Sequence, residues 1–167
     1  MPPTPLLRPL LSTFLLFAGC GGPPAAATGG GATLRTLPEG RALLVVREAL
    51  RDAGATAGPA YSVAVVEGPL EVDVGLAATP FGIEWVSAAD RTERDDLPEP
   101  LTDGQLRILP GSGADAAQQI LILDERTYRF HPDREAVQGG APGITEAELR
   151  LRRDVTDFVT YAQGIGA

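Results

Sequence analysis

Apolar residues recur at helical spacing at Ala42, Val45, Val46, Ala49, Leu50 and Ala53, and Gly54 closes the run. The pattern predicts a helix over about 37–53. Thr36 and Glu39 stand at capping-box spacing just before it, with Pro38 tolerated in the first turn. A second helical stripe of Leu151, Val155, Phe158, Val159 and Ala162 predicts a helix over about 146–163. Its start carries Thr145 and Glu148 at capping-box spacing, and Ile144 and Leu149 where a hydrophobic staple sits.

Between the helices the period shifts to two. Tyr61 to Glu67 is rich in Val, and Leu70, Val72, Val74 and Leu76 alternate with Glu71, Asp73 and Gly75. These runs predict an antiparallel hairpin that reverses at Gly68-Pro69. Phe81, Ile83 and Trp85 alternate with Gly82, Glu84 and Val86, a third strand. Leu106–Leu109 and Gln119–Leu123 flank the Pro110-Gly111-Ser112-Gly113 turn, and the second of them is apolar on both faces, as a covered central strand is. Tyr128 and Phe130 alternate with Thr127 and Arg129 as a sixth strand, whereas Asp90 to Gly104, charged and interrupted by Pro, reads as a long loop with one helical turn. Together these elements predict an α+β domain. Its sheet is mainly antiparallel, of five or six strands, with an N-terminal and a C-terminal helix covering one face.

The first nineteen residues follow a different logic. Leu10 to Ala18 is interrupted only by Ser12 and Thr13, which is too short for the roughly 20 residues of a spanning helix and suits a cleaved signal. Arg8 supplies a positive flank, small Ala18 and Gly19 precede Cys20, and Cys20 is the sole cysteine. The run Leu15-Leu16-Phe17-Ala18-Gly19-Cys20 resembles a bacterial lipoprotein signal. The resemblance implies cleavage before Cys20, acylation of its thiol and of the new N-terminus, and export to the cell envelope. Gly21 follows the cysteine in place of the aspartate that retains many such proteins at the inner membrane, so the resemblance implies the outer membrane in a diderm host. Residues 20–32, small and uncharged, suit a flexible tether. The expected organisation is a signal at 1–19, an acylated linker at 20–32 and a single domain at 33–167.

Charge narrows the choice of partners. Without residues 1–19 the chain keeps 13 basic and 22 acidic side chains, a side-chain charge of −9. An acidic surface without basic clusters argues against nucleic acid and against electrostatic adhesion to anionic lipid, leaving acyl chains to hold the membrane. Every basic residue is Arg. Without Lys there is no phosphate-loop lysine, Schiff base or lysine general base. An acylated Cys20 leaves no thiol nucleophile, disulfide or thiolate metal site, and a single histidine, His131, excludes multi-histidine metal cages. No cofactor is expected.

Carboxylates are the catalytic vocabulary that remains, since glycan hydrolysis runs on two Asp or Glu groups. Glu84 beside Trp85 is the candidate acid, with Glu67, Glu71 or Asp73 as partner, although alternation aims Glu84 at the solvent face opposite Trp85. Asp95 and Asp96, within the acidic run from Asp90 to Asp103, are candidate Ca²⁺ ligands without the ligand order of a dedicated loop. Arg126, Arg129 and His131 near Tyr128 are a candidate anion-binding edge. The leading expectation is a non-enzymatic, lipid-anchored binding or assembly module for an envelope protein partner. The alternatives are a carboxylate-dependent cell-wall glycan hydrolase and a solute- or Ca²⁺-binding module.

Overall fold

A computed structural model describes residues 34–101, 105–130 and 146–165. The signal segment, Cys20, the linker, His131 and the Ile144-Thr145 start of the last helix lie outside the described residues. In chain order the elements are β1 (Arg35–Thr36), α1 (Glu39–Asp52), β2 (Tyr61–Val65), β3 (Gly68–Val72), β4 (Val74–Gly75), β5 (Phe81–Val86), α2 (Ala88–Glu93), β6 (Arg107–Pro110), β7 (Gln119–Asp124), β8 (Arg129–Phe130) and α3 (Glu146–Ile165). The fold is α+β, as the two periodicities require.

Four strands form one sheet in the order β4-β5-β7-β6, with β5 and β7 parallel and the outer pairs antiparallel. β7 is central and buried from Ile120 onward, which is why its sequence is apolar on both faces. The β2–β3 hairpin and the β1–β8 pair are separate two-stranded ladders, both antiparallel.

Period two in the strands divides the core. Ile83, Trp85, Leu121 and Leu123 face α1 and α3, where they join Val45, Val46, Leu50, Leu151, Val155 and Phe158 in one buried cluster. Val86, Ile120 and Ile122 face the other way and pack with Val63, Val65, Leu70, Val72 and Leu97. The hairpin therefore covers the sheet face that the sequence reading left to solvent, giving three layers: helices, sheet and hairpin. Ion pairs join the two ends of α1 to the first turns of α3. Arg41 holds Glu148 through Nε and Nη2 at 2.6 and 3.0 Å, and Arg152 pairs with Glu48 and Asp52.

Several local expectations give way to tertiary context. Thr36 pairs with Arg129 in β1, so the N-cap of α1 is Pro38, with no side-chain cap. The hairpin turns at Val66-Glu67, because placing Val63 opposite Leu70 on the buried face sets the register so that Val65 meets Gly68. Residues 125–128 form a 3₁₀ turn before β8, its start fixed by the Asp124 carboxylate accepting from the Arg126 amide at 2.8 Å. The charged stretch after β5 opens with α2, where Ser87 and Asp90 form a reciprocal capping box.

Two further contacts seat the hairpin. The β6–β7 turn reaches β2, where the Ser112 amide donates to the Ala64 carbonyl at 2.7 Å and Asp115 Oδ2 accepts from the Ala64 amide at 2.9 Å. Gly82 on β5 leaves room for the layer above, since a Cβ there would lie 2.6 Å from the Tyr61 hydroxyl and 2.7 Å from Val72 Cγ1. Gly82→Ala is therefore expected to lift the hairpin and cost about 1–3 kcal/mol by overpacking, measured by denaturant unfolding followed through Trp85.

Candidate functional site

Three segments that are distant in sequence meet at one end of the helix pair. Gly54-Ala55-Thr56 follows α1, Leu76 to Phe81 joins β4 to β5, and Val159, Ala162 and Gln163 lie on the last turns of α3. They line a cleft of about 750 Å³ in which no residue is charged. Phe81 forms part of its wall and packs edge-on against Phe158, with ring centroids 5.9 Å apart.

The β4–β5 loop that makes the cleft's lip satisfies its own polar groups. The Leu76 amide donates to Phe81 O at 2.9 Å, and the Ala77 amide to Thr56 O at 2.9 Å. The Thr79 hydroxyl donates to Leu76 O at 2.9 Å and accepts from the Phe81 amide at 3.3 Å. Ala78 takes the left-handed conformation, φ 61°, to turn this lip, a conformation that costs a non-glycine residue energy and persists only where its surroundings impose it.

A different chemistry lies on the hairpin side of the sheet. Glu84 does alternate away from Trp85, but the hairpin covers that face and leaves Glu84 only 8% exposed. This corrects the expectation of a solvent-facing carboxylate. Its acidic neighbour is Asp73, at the β3–β4 junction, whose negative charge acts on Glu84. Asp73 Oδ2 also accepts from the Trp85 amide at 2.8 Å, whereas Glu84 Oε2 is buried without a hydrogen-bond partner. Burial first, then the negative charges of Asp73 and Asp90, push the Glu84 pKa up to about 9. Burial also raises Asp73, partly offset by the Trp85 amide. The pair thus holds a proton at neutral pH.

Neither carboxyl lines the cleft. Glu67 and Glu71, the other partners considered for Glu84, are exposed on the hairpin.

No protein-family model, curated protein or solved structure matches this chain.

The other sequence candidates are occupied or apart. Arg126 donates to Asp124 through Nε and Nη2 at 3.0 and 3.1 Å and to Glu99 at 2.9 Å, so its charge is already met. Arg129 is exposed on β8, where its carbonyl accepts from Arg150. The structure thus does not gather an anion-binding edge from these arginines. Asp96 is held by Arg94 through Nε and Nη2 at 2.9 and 2.8 Å, and the hydrogen bond from Arg94 keeps its carboxyl below the usual range. Asp95 is exposed. Among the described residues no group of three or more His, Cys, Asp or Glu side chains is placed to hold a metal ion.

The sequence reading did not find the cleft. Its lining residues are mostly small and read locally as turns: Gly54-Ala55-Thr56 after a helix, and Ala77-Ala78-Thr79-Pro80 between strands. The available signal was their lack of charge, in a chain where 22% of residues are charged.

Proposed function

We propose that this chain is a lipid-anchored cell-envelope protein that acts by binding rather than by catalysis, its cleft holding part of an envelope partner. The observation that carries the binding role is an open, uncharged cleft that lies apart from the buried Glu84 and the half-buried Asp73. Neither Glu84 nor Asp73 lines the cleft.

The anchor rests on Leu15 to Cys20 and on the uncharged stretch that follows. Each buried acyl methylene contributes about 0.8 kcal/mol, so two or more chains on Cys20 hold the domain durably at a bilayer. The small, uncharged composition of 20–32 suits a tether between anchor and domain.

Metabolic labelling with an alkynyl fatty acid in a bacterial host, followed by mass spectrometry of the N-terminal peptide, tests the anchor. The expected result is an acylated N-terminus at Cys20 and sedimentation with membranes. Cys20→Ser is expected to abolish both label and sedimentation. An intact leader or an unmodified thiol in the wild type would overturn the anchor.

A further inference from the structure

We infer that the cleft between the end of α1, the β4–β5 loop and the last turns of α3 binds a hydrocarbon chain of a neutral lipid. This rests on the reading of the cleft as the binding surface and names what occupies it. The volume of about 750 Å³ falls within the range of small-molecule sites.

Three features select the occupant. The first is charge. With no Asp, Glu or Arg in the lining, nothing there compensates a carboxylate, phosphate or ammonium as it leaves water, so an ionic group is rejected by its desolvation cost.

The second is hydrogen bonding. A peptide segment brings an amide and a carbonyl at nearly every residue, and each needs a partner when buried. Here the Leu76, Ala77, Thr79 and Phe81 amides are already bonded within the lip and to Thr56. A hydrocarbon makes no such demand. The side chains of Thr56 and Gln163 provide neutral polar contacts suited to one hydroxyl or ester at the end of a chain.

The third is the lining itself. Ala55, Ala77, Ala78 and Pro80 keep apolar surface open to solvent beside the buried Leu76, Phe81, Val159 and Ala162, an apolar lining drawn from three separate segments.

The test uses the full chain with Cys20→Ser, so that no attached acyl chain competes. Nile red, a neutral apolar dye, is expected to bind saturably at one site, with enhanced emission, and to be displaced by 1-dodecanol more readily than by dodecanoate at pH 8. Ala77→Asp places a charge on the exposed lip, and Ala162→Phe fills the cleft. Each is expected to weaken dye binding about tenfold or more, while Val66→Asp on the distant hairpin turn leaves it unchanged. If Ala162→Phe fails to fold, Ala77→Asp at its exposed position still decides. No saturable binding, or equal binding by wild type and Ala77→Asp, would overturn the inference.

A photocrosslinking residue at position 77 of the native acylated protein in cells separates the two levels of the argument. A crosslink to lipid supports both. A polypeptide adduct without dye binding overturns the hydrocarbon occupant and leaves the binding role standing. Neither adduct nor dye binding removes both.

Discussion

Glu84→Gln is expected to make the folded domain more stable at pH 7 by up to about 3 kcal/mol and to flatten its dependence on pH. In the folded chain Glu84 keeps its proton to about pH 9, against an ordinary value of 4.5. Between those values the folded state binds a proton that the unfolded chain has released, so stability falls as pH rises. It is at its full value below about 4.5, declines across the window and levels off above about 9. Each pH unit inside the window is worth about 1.4 kcal/mol, which sets the ceiling at pH 7. A glutamine is always neutral and of nearly the same shape, so it keeps the packing and removes the proton linkage. Urea unfolding of both proteins from pH 5 to 9, followed through Trp85, the sole tryptophan, checks this. A variant less stable than the wild type at pH 7, or one with an unchanged pH slope, would show that the carboxyl pair does not hold its proton in the fold.

Asp124→Ala is expected to have the opposite effect, with a loss of about 3 kcal/mol or more. Asp124 is 2% exposed at the end of β7 and accepts from Arg91 Nε at 2.6 Å, from the Arg126 amide at 2.8 Å and from the Arg126 guanidinium. Burial alone would raise its pKa, but the hydrogen bonds from Arg126 and Arg91 outweigh it and hold the carboxyl below the ordinary value. Its contribution is therefore present above the ordinary carboxylate range and is lost as pH falls through the folded value, the reverse of Glu84. Removing one member of a buried pair strands the other, which is the costly case. Arg91, with its side chain 16% exposed, also donates to the carbonyls of Leu97 and Pro98, so the segment that seats Leu97 against the hairpin loosens with it. Thermal unfolding should show the drop. The double variant Arg91→Met, Asp124→Leu should recover much of it by replacing the pair with apolar packing.

These two acids mark where the sequence could be read and where it could not. The stripes of α1 and α3 are visible because helix burial repeats every three to four residues, and Leu151, Val155, Phe158, Val159 and Ala162 are all buried as their spacing requires. β7 announced its central position by lacking a polar face. The sequence Phe81 to Val86 carries the same alternation as a half-exposed strand, yet all six residues are buried. Nothing local to Glu84 records that a hairpin seventeen or so residues earlier folds back over it. The parallel pairing of β5 with β7 is equally non-local, because alternation gives a strand its faces but not its neighbour or direction. The Ser87–Asp90 capping box was present in the sequence and was obscured by the charged run it opens. The cleft is the extreme case, since its three segments are joined only by tertiary packing.

The grip of Ser112 and Asp115 on Ala64 has a consequence for how copies of the molecule meet. β2 would otherwise offer a line of unmet amides and carbonyls to any passing copy. Occupying the middle of that line from within the same molecule interrupts strand-to-strand growth at its midpoint. The turn between β6 and β7 thereby helps keep neighbouring molecules separate.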